Sequence, residues 1–225
     1  MDKAAGKTPW GAVVWSVLCF GFGAAPMAAI FLLAPREETM GDAQRILYVH
    51  VSVAWFGLLC FLIMAGTGVI YLLRRDLSWD HWSQSAAELG WLCTALTLIT
   101  GSLWAHAAWN TWWTWDPRLA TTFVLWAICS AYLIVRGSLE DPHRRARLSA
   151  VLAILGAVDL PLVIMATGWF RGIHPAAPDM EPPMRAVLLV SIGSFSVLFS
   201  ILLKRRRAQL RLAAMLALRE EKADI

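Results

Sequence analysis

The chain has 225 residues, 58% of them hydrophobic and only 16% charged, with a mean hydropathy of +0.57 and a formal net charge of +4. Soluble domains carry about 25% charged and about 45–50% apolar residues, so this is no ordinary cytosolic enzyme. Nor is it a disordered chain, which needs low hydrophobicity and high net charge. The basic residues fall at the ends of apolar runs, a topology signal that says nothing of nucleic acid. Tryptophan stands out at 13 residues against 9 Phe and 3 Tyr, since bulk hydrophobicity is met equally well by Leu, Ile and Val.

A helix crosses a bilayer with about 20 mostly apolar residues. Residues Trp10–Leu33 supply a first span, read as a kinked, uncleaved helix because it outruns a signal-peptide core. Leu47–Leu73, Leu89–Trp104 with its flanks, Leu119–Val135 and Leu148–Trp169 supply the second to fifth, and Arg185 and Lys204 bracket a sixth. The expected fold is all-α, a six-helix integral membrane protein, because lipid excludes unpaired backbone. Residues 1–204 form that membrane domain. The tail 205–225 is a basic cytoplasmic helix that extends the last span or lies on the membrane surface. Cys19, Cys60, Cys93 and Cys129 each sit in an apolar run with no CxxC spacing, and read as small buried hydrophobes.

Counted loop by loop, 15 Lys and Arg lie on the side of the termini and five (Arg36, Arg45, Arg118, Arg171 and Arg185) on the other. The positive-inside rule puts both termini in the cytoplasm and the other face, in a bacterium, in the periplasm.

The unusual chemistry gathers on that outer face. Five of the 12 residues from Trp104 to Trp115 are tryptophan, namely Trp104, Trp109, Trp112, Trp113 and Trp115. Such a segment either lies flat as an interfacial aromatic belt or presents a platform to a large planar ligand. Asp116 and Pro117 read as the cap and first turn of the fourth span, and Arg118 is placed to fork onto a carboxylate. His81 and His143 read as solvated residues of inner loops, and His106 as a weak ligand candidate. His50 stands about one turn into the second span, where a polar side chain is costly in lipid, and His174 follows the fifth span. Two imidazoles and an aromatic platform suit a haem, with Arg118, Arg171 or Arg45 available to its propionates. A bare metal wants a third ligand close by. Asp159, inside span five beside Pro161, calls for a partner or a cavity.

The segment Trp104–Leu119, ending Trp112-Trp113-x-Trp115-Asp116-x-Arg118-Leu119, resembles the tryptophan-rich "WWD" signature of haem-handling proteins. With six spans, Tyr48-Val-His50 and Trp169…His174, the chain resembles the heme exporter protein C family of bacterial cytochrome c maturation over roughly residues 40–205. The resemblance implies a non-covalent, b-type haem on the periplasmic face, with His50 and His174 as axial ligands of the iron. Trp104, Trp109, Trp112, Trp113, Trp115, Asp116 and Arg118 would form its platform and edge. It further implies no catalytic residue in this chain. The haem is presented to a periplasmic haem chaperone, beside an ABC-type permease and ATPase and a small single-span subunit in the bacterial inner membrane. The sequence departs from the family pattern at Ala105 and Asn110, where Gly is usual, and at Ser52, Phe170 and Pro175; the two lost glycines are expected to restrict the Trp-rich loop.

Two other classes remain in view. A haem lyase-like enzyme would attach haem to apocytochrome c, but related lyases commonly carry a further pair of helix-embedded histidines, and only His50 lies at membrane depth here. A permease whose Trp loop is a mere anchor would hold no cofactor.

Overall fold

In the computed structural model, which describes residues 10–170, 172, 174 and 180–223, the chain forms six α-helices: α1 Trp10–Ala28, α2 Arg45–Arg74, α3 Leu77–Trp109, α4 Pro117–Gly137, α5 Pro142–Trp169 and α6 Pro182–Ala223. No named strand occurs among the described residues. All six helices are long and apolar enough to cross a membrane. Phe20, Leu73, Val158 and Leu189 are each more than 60% exposed, which is tolerable only against lipid.

Several helix ends have an identifiable cause. Pro26 lies inside α1 and removes a backbone donor, and the helix then widens into a π-turn over Ala29–Leu33, closed by Ala34 N–H on the Ala29 carbonyl at 3.0 Å. The first span is therefore interrupted after Pro26 by a wider turn. Arg45 Nη1 donates to the Ile30 carbonyl of that turn. The left-handed residue Arg75 (φ 57°) ends α2, and its N–H caps the Tyr71 carbonyl at 2.7 Å. Asp76 then caps α3, accepting from Ser78 N at 2.8 Å and Ser78 Oγ at 2.7 Å, and these bonds hold its carboxyl below the usual carboxylate range. Asp116 and Asp141 cap α4 and α5, each followed by proline in the first turn.

Three helices outrun the apolar spans read from the sequence. α3 begins at Leu77 rather than Leu89, and α5 at Pro142 rather than Leu148. α6 continues unbroken through residues 205–223. His81 and His143 accordingly lie in the opening turns of α3 and α5, not in loops, and the Tyr71 hydroxyl sits 3.1 Å from His143 Nδ1.

The core forms where α2 meets the other helices, around Phe56, Cys60, Phe61 and Met64, with Cys93 of α3, Leu125 and Cys129 of α4, and Phe199 of α6. Cys60, Cys93 and Cys129 are free thiols and fully buried, the small hydrophobes that their contexts suggest, whereas Cys19 is only half-buried. A Cβ on Gly90 would lie 3.1 Å from that of Cys60, and one on Gly57 3.3 Å from that of Cys93. Small residues thus set the close approach of α2 and α3.

The polar opening turns of α3 are satisfied by other helices. Arg136 of α4 forks onto Asp80 at 2.7 and 2.8 Å and also donates to Gln84 Oε1 at 2.7 Å. Arg206 of α6 reaches Glu88, with Nη2 at 3.1 Å from Oε1. Arg136, counted among the inner-face cations, is therefore buried in an ion pair rather than solvated.

Candidate functional site

At the opposite end of the bundle a cavity of about 310 Å³ opens between α2, α3 and α4. His50 of α2 and His174, between α5 and α6, both line it, together with Trp104, Trp109, Trp113 and Arg118. Its volume sits at the lower end of the roughly 300–1,000 Å³ of small-molecule sites, and most of its remaining wall is aliphatic.

His50 lies on the second turn of α2 and packs edgewise on α3. Its Nδ1 is 3.0 Å from Thr100 Oγ1. A Cβ added to Gly101 would come 3.0 Å from its Cε1, so the ring packs tightly against the glycine. His174 is tied from its backbone, its N–H donating to Asp116 Oδ2 at 3.4 Å. The other oxygen of Asp116 accepts from Arg118 N at 2.9 Å. Asp116 is buried, so the carboxylate that starts α4 also anchors the second histidine.

The Trp-rich segment divides into two parts. Trp104 to Trp109 complete the last turns of α3, and only residues 110–116 form the connection to α4. Ala105 is a buried helical residue that lines the cavity, where no glycine conformation is required. Asn110 stops α3 in the left-handed region at φ 53°, and asparagine is among the few side chains that adopt this conformation readily. The expected restriction of the loop at these two positions is therefore absent, since one is helical and the other tolerates its geometry.

The rings pack on one another. Trp104 meets Trp109 edge-to-face at 5.0 Å, and Trp113 meets Trp115 at 5.7 Å and Phe123 at 6.2 Å. Trp112 stacks on His106 at 4.0 Å with the planes 9° apart, and neither of those two lines the cavity. Trp112 and Trp115 are 55% and 79% exposed and stand outside it. Asp116 stands behind the wall as an anchor.

Of the three arginines considered for an acidic group, Arg118 lines the cavity. Arg45 is engaged with Asp42 at 3.0 Å and with the Ile30 carbonyl, and Arg171 lies outside the described residues. Trp104 Nε1 is buried without an acceptor among the described residues, a donor that an acidic ligand would satisfy. No group of three or more His, Cys, Asp or Glu that could hold a metal ion occurs among the described residues. Two imidazoles beside planar aromatic walls match an iron whose porphyrin already supplies four nitrogens. The residues present fit a haem.

Asp159, singled out in span five, is buried in α5, and its Oδ2 has no hydrogen-bond partner among the described residues. The residues singled out from the sequence do not include Thr100 and Gly101. The signal available was a Thr97-x-x-Thr100-Gly101 run, which at helical spacing puts all three on one face toward α2.

Comparison with known proteins finds relatives along nearly the whole chain. The family model for heme exporter protein C matches residues 3–221. The heme exporter protein C of Paracoccus denitrificans is 33% identical over 203 residues, 85% of this chain and 84% of that protein. The one from Escherichia coli K12 is 28% identical over 211 residues, 90% and 82% of the two chains. A putative cytochrome c biosynthesis ccmC-like mitochondrial protein of Marchantia polymorpha is 32% identical over 149 residues, 65% and 63% of the two. A match along nearly the whole chain, six apolar helices and a cavity walled by tryptophan and two histidines converge: the chain belongs to the heme exporter protein C family, whose role is haem handling in cytochrome c maturation.

Proposed function

We propose that the cavity holds one non-covalent, b-type haem between His50 and His174 and offers it to a periplasmic haem chaperone. The observation that carries this is that both histidines, from segments more than 120 residues apart, line one cavity with Trp104, Trp109 and Trp113. Iron ligated on both faces is what such a pair of imidazoles supplies when haem is bound. Trp104, Trp109 and Trp113 give the porphyrin its apolar contact, Arg118 takes a propionate, and Asp116 holds the His174 segment in place. Trp112 and Trp115, exposed on the same connection, are the surface left to the chaperone.

Family membership supports the remaining assignments. The chain would work in the bacterial inner membrane beside an ABC-type permease and ATPase and a small single-span subunit. The excess of Lys and Arg at the terminal face supports cytoplasmic termini and a periplasmic Trp-rich segment. The chain itself acts as a binding and delivery subunit.

The test is the optical spectrum of detergent-purified protein. Soret and α bands of a bis-imidazole haem are expected, and H50A/H174A should abolish them. An unchanged spectrum in that double variant overturns the ligand assignment. Haem recovered on apocytochrome cysteines rather than on a chaperone would favour a lyase-like activity.

A further inference from the structure

We propose that Thr100 is a positioning residue that fixes the tautomer and rotation of His50, keeping Nδ1 protonated and Nε2 free as the ligating nitrogen. Its functional meaning rests on the haem reading above. The argument begins with one proton. A threonine hydroxyl has a single hydrogen to donate and two lone pairs to accept with. Thr100 Oγ1 lies 2.6 Å from the Leu96 carbonyl, one turn back along α3, and 3.3 Å from that of Thr97. This back-bonding spends its hydrogen on the helix.

Toward His50 Nδ1, 3.0 Å away, the hydroxyl therefore acts as an acceptor, and Nδ1 carries the hydrogen. A neutral imidazole with a protonated Nδ1 has its lone pair on Nε2. The packing agrees with this orientation. A Cβ built on Gly101 would lie 3.0 Å from Cε1, 3.5 Å from Nδ1 and 4.0 Å from Nε2, so the Cε1–Nδ1 edge faces α3 and Nε2 is the nitrogen farther from it. Histidines that bind metal almost always donate their second N–H to such a partner, which sets ring orientation and ligand basicity. The opposite arrangement, with Thr100 donating to Nδ1, would leave hydrogen on Nε2 and no lone pair for iron.

The test uses the full chain, purified in detergent without haem, labelled with nitrogen-15 histidine and compared as wild type, T100V, T100S and H50A. The H50A spectrum identifies the His50 signals by difference. Wild type and T100S should show a protonated Nδ1 and an unprotonated Nε2 at neutral pH, and T100V a mixture. Haem titration should then give an affinity about 10-fold or more weaker for T100V, in line with partners of this kind, with recovery in T100S. Thr and Val nearly match in shape, and a melting temperature equal to wild type checks that T100V folds.

A protonated Nε2 in the wild type, or a T100V protein with wild-type tautomer and affinity, overturns the proposal. The two readings separate cleanly. If H50A binds haem with an unchanged spectrum, His50 is no ligand, yet the haem-free tautomers still decide whether Thr100 sets the ring.

Discussion

Asp116 and His174, 58 residues apart in the chain, are joined by a hydrogen bond from the histidine's backbone N–H to a carboxylate oxygen that is not used to cap α4. One buried side chain thus couples the start of a helix to the placement of a proposed haem ligand. Asp116→Ala should cost about 0.5–2 kcal/mol for the cap alone and should weaken haem binding as well. Asp116→Asn keeps a single carbonyl oxygen and can serve only one of the two N–H groups, so it should fall between. Gly172→Ala should mimic the loss, because a Cβ there would overlap the Asp116 carboxylate. Thermal melting and haem titration separate the two effects, and D116A with wild-type haem affinity would disconnect Asp116 from His174.

Much of this was legible in the sequence because lipid is a strict solvent. A histidine or a cluster of rings at a span's edge stands out against apolar residues, so His50, His174 and the tryptophans could be read directly. The starts of α3 and α5 could not, whereas Asp116 and Pro117 marked that of α4. The first turns of α3 carry Asp80, Gln84 and Glu88, which look like loop residues until Arg136 and Arg206 arrive from α4 and α6. The split of the tryptophans was hidden too, because whether Trp104 to Trp109 continue α3 depends on the left-handed stop at Asn110. Thr100 was invisible for a different reason. A threonine in an apolar helix usually bonds back to its own turn, as this one does, and its second role appears only once α2 is packed beside it.

Gly101 makes the space in which His50 sits. Gly101→Ala would set a methyl 3.0 Å from Cε1, tighter than ordinary packing, so the ring must give by a few tenths of an ångström. That shift moves the imidazole relative to Thr100, and haem affinity should drop. The stability change should be small, since alanine is about 1 kcal/mol better than glycine inside a helix. A protein that melts at or above the wild-type temperature yet binds haem poorly is the expected signature. Wild-type haem binding in G101A would mean the ring has other room.

Asn110 offers a test that touches stability more than chemistry. Its left-handed backbone lets its N–H cap the His106 carbonyl at 3.0 Å. Asn110→Gly should be neutral or slightly stabilising. Asn110→Val should cost about 1–2 kcal/mol, the steric penalty of that region for a side chain with Cβ substituents, and should fray the end of α3 that carries Trp104 and Trp109. Melting curves followed by tryptophan fluorescence would register both variants, and equal melting of N110V and wild type would contradict the assigned geometry.

The Asp80–Arg136 pair tests what holds the far end of the bundle. Both side chains are 5% exposed, and the fork closes at 2.7 and 2.8 Å with Gln84 as a third partner. The exposed pair Arg36–Asp42, at 3.7 Å and with both side chains more than 60% exposed, belongs to a class worth about 0–1 kcal/mol. Removing one member of the buried pair leaves a desolvated charge, so Arg136→Met should cost about 3–5 kcal/mol. Asp80→Leu combined with Arg136→Met removes both charges and should recover most of that loss, because a matched apolar replacement of a buried pair is often near neutral. The contrast decides the mechanism. A double variant as unstable as R136M would show that the fork is needed for its geometry, joining α3 to α4, rather than to compensate two charges. Because screening reaches buried pairs weakly, the melting shift of R136M should hardly change between low and high salt.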